Sequence, residues 1–185
     1  MIYYSIPYST EKNIGRYYND FMQILPNDND FACFVDGDTI FTTPHYGHTI
    51  NEVVNRYPKI GCFTCMTNRV YFKKQVVSDI DYESNDMKYH RDIGNTLQTV
   101  YGSLCKDITE PLVEKEKERY FSGCMIMLQK KLWKKIGGFK DGILGVDNEL
   151  HKSIIEAKEK IYLMQGVYIY HWYRWPNNRD RSHLL

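Results

Sequence analysis

The chain has 185 residues, 43% of them hydrophobic, with 24 basic and 23 acidic side chains and a formal net charge of +1. That length and composition point to one globular domain spanning 1–185 and exclude a disordered or fibrous chain. The balanced charge excludes a global electrostatic footprint for nucleic acid, and no stretch reaches the roughly 20 apolar residues that span a bilayer.

The first strand is predicted from Ile2 to Ile6 and stops at Pro7. The opening segment, MIYYSIPYST, has neither a basic start nor a long apolar run, so it does not read as a secretory signal. The expected location is cytoplasmic, with peripheral attachment to a membrane left open. The odd count of five cysteines, most of them in apolar runs, agrees with reduced, buried thiols. Cys62-x-x-Cys65 has no second pair to complete a zinc site.

From Ile14 the apolar positions Tyr17, Tyr18, Phe21 and Leu25 follow helical spacing, and PNDND ends that helix. Phe31 to Val35, FACFV, is a continuous apolar run suited to a strand covered on both faces. Thr43-Pro44 reads as a helix start, with Thr as N-cap and Pro in the first turn. Ile50, Val53, Val54 and Tyr57 give that helix one apolar face. A further strand is predicted from Ile60 to Met66. Strand, helix, strand, helix, strand predicts an α/β fold with a mostly parallel central sheet flanked by helices.

Residues 73–119 are polar. Their EKEKER run reads as a solvated helix face or a mobile loop, and the whole segment as a mobile or acceptor-facing region. Cys124 to Leu128 is the next strand. A helix is predicted from about Asp147 to before Ile161, and a last strand from Val167 to Trp172.

Four groups carry chemistry. Asp36-Gly37-Asp38 follows FACFV directly, which places two carboxylates at the carboxyl end of a sheet strand, where open α/β folds bind ligands. Carboxylate oxygens are hard ligands for Mn²⁺ or Mg²⁺, although an ordinary DGDT turn gives the same letters. His171 closes the last strand and offers an imidazole to a divalent metal, or is a hydrogen-bonded histidine. Asp147, in GILGVDNEL, is either a helix N-cap or a general base. Asn13, Gly15 and Arg16 follow the first strand, with a backbone open to close approach and a cation for a diphosphate. The same residues also read as a capped helix start. Asn68, Arg69 and the run from Trp172 to Trp175 are further candidate contacts.

Together these segments resemble glycosyltransferases of the GT-A fold, particularly the large family 2. SIPYS is similar to that family's first strand ending at proline, and NIGRYYN to a shortened N-x-G segment with a following Asn. FACFVDGDTIF resembles the apolar strand with its DxD motif. WKKIGGF, GVDNEL and YIYHW resemble the G-G-F turn, the acidic motif and the late histidine. The resemblance implies a metal held by Asp38 and His171, with Asp36 on the metal or the ribose. It implies Asp147 as catalytic base, and Pro7, Tyr8, Asn13, Gly15, Arg16, Asp36, Gly37 and Asp38 along a nucleotide-sugar pocket. Gly138, Glu149 and Trp172 would touch sugar or acceptor.

The implied activity is transfer from a UDP- or GDP-linked sugar to a hydroxyl of an unidentified acceptor. The family's usual helix and second strand before N-x-G are absent here, and Val146 stands where its acidic motif has Glu. Asp147-Asn148-Glu149-Leu150 with His171-Trp172-Tyr173-Arg174 also resembles polypeptide N-acetylgalactosaminyltransferases, which retain configuration; the position of Asp147 favours inversion. A nucleotidyltransferase, or a non-catalytic nucleotide- or sugar-binding protein on the same scaffold, are the competing readings.

Overall fold

The computed structural model describes residues 1–172. Tyr173, Arg174 and Trp175, named above, lie outside the described residues. Fourteen elements follow in chain order: β1 (Ile2–Ser5), α1 (Ile14–Ile24), β2 (Phe31–Val35), β3 (Thr39–Phe41), α2 (Tyr46–Arg56), β4 (Cys62–Thr67), α3 (Met87–Tyr101), β5 (Cys105–Asp107), β6 (Leu112–Glu114), β7 (Lys117–Arg119), β8 (Met125–Gln129), α4 (Lys130–Lys135), α5 (Val146–Glu156) and β9 (Ile161–His171). The fold is α/β. The main sheet runs β1-β2-β8-β4-β9-β3, with β5 also on β9. β1, β2, β4 and β9 point the same way, while β3, β5 and β8 run against them. No helix among the described residues is long and apolar enough to cross a membrane.

Both faces of the sheet are covered, which is why β2 reads as an unbroken apolar run. Side chains alternate across a strand. Ala32 and Phe34 therefore join a core with Tyr18 and Met22 of α1, Leu150 and Ile154 of α5, and Ile126 and Leu128 of β8. Phe31, Cys33 and Val35 join the opposite core with Ile50 and Val53 of α2 and with Met125 and Met127. Cys62 lies in the first core and Cys65 in the second, so the pair is split across the sheet.

The alignment of β1, β2, β4 and β9 puts their carboxyl ends on one edge. Asp36, Asn68 and His171 emerge there. β8 runs the other way, so its entry segment, Ser122-Gly123-Cys124, reaches the same edge. β9 gets there through an irregularity: its pairing with β4 jumps from Met164 to Tyr168 between Cys65 and Met66. Gly166 sits in that bulge, where a Cβ would lie 2.0 Å from the Gly102 carbonyl oxygen. Only glycine lets the end of α3 press against the bent strand.

Several expectations are corrected. The helix expected at Thr43-Pro44 starts at Tyr46, after His45 in a left-handed conformation. Thr43 caps nothing: its hydroxyl accepts from Tyr168 N at 2.7 Å, a tertiary partner that outcompetes the local one. EKEKER is neither a helix face nor a loop but most of the β6–β7 hairpin. Lys115 and Glu116 at its tip both have positive φ, 49° and 63°, the turn geometry that matches the twist of two antiparallel strands. Residues 73–119 also contain α3, the longest helix, and a 3₁₀ turn at Lys73–Gln75. The last strand begins at Ile161 rather than Val167.

Candidate functional site

The strand edge opens into a cavity of about 380 Å³. Asp36, Asp38, Asp147 and His171 line it together with apolar side chains that include Ile14, Tyr18, Val70 and Leu144. The loop after β2 is tied down on both sides of Asp36. Its N–H donates to the Cys124 carbonyl at 3.1 Å, and its carbonyl accepts from the Thr39 hydroxyl at 2.7 Å. The Asp38 carbonyl accepts from Trp172 N at 2.8 Å. The DxD turn is thereby joined to the end of β9, where His171 stands.

One ligand atom from each of Asp36, Asp38 and His171 lies within 4.8 Å of the others. Asn68, buried at the end of β4, grips the His171 backbone from both sides: its Oδ1 accepts from His171 N at 2.8 Å and its Nδ2 donates to His171 O at 3.3 Å. The His171 Nδ1 faces the Arg69 carbonyl at 3.2 Å, and only a protonated Nδ1 can bond there. The neutral ring then presents the Nε2 lone pair to the cluster, 3.4 Å from Asp38 Oδ1. A carboxylate and an imidazole lone pair facing each other need a cation or a proton between them. Two carboxylates and one oriented imidazole fit a divalent metal such as Mn²⁺ or Mg²⁺.

Burial, then the neighbouring Asp38 charge, push the Asp36 carboxyl up to about 6, with His171 pulling the other way. Asp147 enters from the first turn of α5. It does not cap the helix, whose cap position is Gly145. Its Oδ2 accepts from Gly123 N at 2.9 Å and its Oδ1 from Asn148 N at 2.9 Å. Burial holds its pKa above the ordinary carboxylate value although both hydrogen bonds lower it. Tyr18 of α1, which lines the cavity, is held as a phenol by burial and by the charges of Asp36 and Asp147.

The other predicted residues are placed differently. Asn13 Oδ1 accepts from Arg16 N at 3.0 Å and from Gly142 N at 2.9 Å. Gly15 is buried, with its N–H on Gly142 O at 3.1 Å. Asn19 completes the lacing: its Oδ1 takes hydrogen bonds from Trp133 Nε1 and Phe139 N, and its Nδ2 donates to Phe139 O. The segments NIGRYYN and WKKIGGF thus bind each other, and Gly138 packs against Asn19. Arg16 is exposed and pairs with Glu11 at 3.3 Å. Pro7 is partly buried and Tyr8 exposed. Gly37 is exposed, with ordinary space around it. Glu149 pairs with Lys152 at 2.7 Å. Trp172 is half exposed beside Tyr170.

Gln75 escaped the sequence reading. It is buried, and its amide accepts from Ser122 N at 2.7 Å and donates to Ser122 O at 3.2 Å, which fixes the peptide leading to Gly123. Like Asn68, it acts through backbone, and no pattern in the sequence marks such a role. No protein-family model matches the chain, and no curated protein matches it either.

Proposed function

We propose that this protein is a metal-dependent glycosyltransferase of the GT-A type, moving a sugar from a nucleoside diphosphate onto an acceptor hydroxyl with inversion. The observation that carries the reading is the convergence of Asp36, Asp38 and His171 within 4.8 Å at the carboxyl ends of β2 and β9, in the same cavity as Asp147. An oriented acid–acid–histidine cluster beside a partly buried carboxylate suits chemistry in which a diphosphate departs and a hydroxyl attacks.

Asp36, Asp38 and the Nε2 of His171 are the residues that would hold the cation, which when bound supplies positive charge against the departing diphosphate. Asp147 takes the acceptor proton on a remaining carboxylate lone pair while Gly123 N–H and Asn148 N–H keep the carboxylate aimed. Its raised pKa makes it a better base than an ordinary surface carboxylate. The apolar wall of Ile14, Val70 and Leu144 limits water, which would otherwise take the sugar.

Thermal stabilisation by UDP, GDP and their sugar conjugates, with and without Mn²⁺, tests the reading. A nucleotide at a hundred times its Kd raises apparent stability by about 2.7 kcal/mol. The expected result is a Mn²⁺-dependent rise with one nucleoside diphosphate that disappears in Asp38→Ala. No rise with any diphosphate in the presence of metal would overturn it.

A further inference from the structure

The β6–β7 hairpin sets a cation against Tyr71, a residue that lines the cavity. Leu112 and Arg119 are cross-strand partners, and directly paired residues share a face of the ribbon. Leu112 packs on the core, so Arg119 is on the side turned toward the body of the protein. Its guanidinium carbon lies 5.9 Å from the ring centroid of Tyr71, and Tyr71 lines the cavity. Its Nε–H is buried and has no acceptor among the described residues. A buried charged donor left without an acceptor is costly and uncommon in folded proteins. Glu118, its neighbour in the chain, is engaged elsewhere and accepts from the Tyr120 hydroxyl.

We propose that Arg119, set against Tyr71, anchors an anionic group of the acceptor, a phosphate or a carboxylate. Calling that molecule the acceptor rests on the glycosyltransferase reading; the anion site itself does not. A guanidinium presents a planar fork that matches either anion in two parallel hydrogen bonds, and an aromatic neighbour helps fix the orientation of its plane. With the cation of Asp36, Asp38 and His171 taken by the donor diphosphate, the carboxylate left facing the acceptor is Asp147, which disfavours an anion beside it. The anionic group therefore stays at Arg119 while the rest of the molecule reaches past Tyr71 and Ser122 toward Asp147. The acceptor class this defines is a hydroxyl compound with a phosphate or carboxylate at the end remote from the reacting oxygen.

The test uses the whole chain, stripped of divalent metal on a chelating resin so that the acidic cluster recruits no anion. Inorganic phosphate and, separately, acetate are titrated while the Arg119 Nε–Hε resonance is followed, assigned by its loss in Arg119→Lys. The expected result is a saturable shift of that resonance, with the anion that saturates at lower concentration distinguishing phosphate from carboxylate. Arg119→Lys keeps the charge but loses the fork, and should weaken anion binding about tenfold by calorimetry. Mn²⁺-dependent nucleotide binding should stay unchanged in the same variant. A resonance unmoved by either anion, or equal anion affinity in the wild type and Arg119→Lys, would overturn the proposal. An intact anion site without any metal-dependent nucleotide binding would remove the glycosyltransferase reading alone.

Discussion

Asp147 accepts a backbone N–H at each oxygen, so Asp147→Asn keeps the shape and one of the two hydrogen bonds while its NH2 faces the other N–H. Asp147→Asn should bind metal and nucleotide as the wild type does while losing transfer by about 10²- to 10⁴-fold, the usual contribution of a general base. Normal transfer by the variant, measured as nucleotide release with acceptor, would remove the assignment. The base works only when unprotonated, so the rate should climb with pH through the Asp147 pKa. Burial raises that pKa, which displaces the climb above the ordinary carboxylate range. Asp36, Asp38, His171 and Asp147 were legible in the sequence because each sits in a short motif beside an apolar strand or at a helix entry. Asn68 was legible only as a candidate contact, and Gln75 and Gly123 not at all, because what they contribute is a backbone contact or a hydrogen bond to a peptide group, and many residue types leave the same trace in a sequence.

Two glycines read alike in the sequence but do different work in the elements that hold them. A Cβ on Gly15 would stand 1.8 Å from the Lys140 carbonyl oxygen, so α1 could not keep its seat against the 138–142 loop. Gly15→Ala should therefore cost about 1–3 kcal/mol, the range for forced overpacking, read as a lower urea midpoint with an unchanged m-value. A Cβ on Gly37 would meet only Ile6, at 3.6 Å, an ordinary contact. Gly37→Ala should leave the midpoint nearly unchanged, so any loss of nucleotide binding in that variant reports on the ligand. Among the elements, β2, β8, α1 and α5 were legible because their apolar periodicity is dictated by the two cores they fill. α3 was not: its buried residues are His90 and Gly94, and it docks by bringing Gly94 against the Thr42–Thr43 backbone rather than by an apolar stripe. The three-residue strands β3, β5, β6 and β7 are too short to show any period.

The order of the strands was the least legible feature, since it depends on residues that tie distant segments together, and His151 is the clearest of these. It is buried on α5, opposite the solvent side of the helix. Its Nδ1 accepts from Phe121 N at 3.0 Å and its Nε2 donates to Thr109 O at 2.8 Å, so one neutral ring joins α5 to the segments before β6 and before β8. The rings of Phe72, Tyr120 and Phe121 surround it; Lys74 disfavours its charge and Glu110 favours it. Burial is the largest cause of a pKa below the ordinary 6.5. Protonation would put a hydrogen on Nδ1 against the Phe121 N–H and break the tie. The unfolded chain takes up this proton near pH 6.5 and the folded chain only at lower pH. The stability due to His151 is therefore complete above 6.5 and declines as pH falls toward the folded value. The slope in that window approaches about 1.4 kcal/mol per pH unit for a single proton. Asp36 titrates in the same region with the opposite sign, because its folded pKa is raised, so the wild-type curve alone mixes the two. Subtracting the urea-derived stability of His151→Gln from that of the wild type at each pH isolates the histidine. The difference should be largest above pH 6.5 and shrink toward pH 5. A difference that stays constant across that range would mean that His151 is not the neutral link between α5 and the two segments that lead into the site.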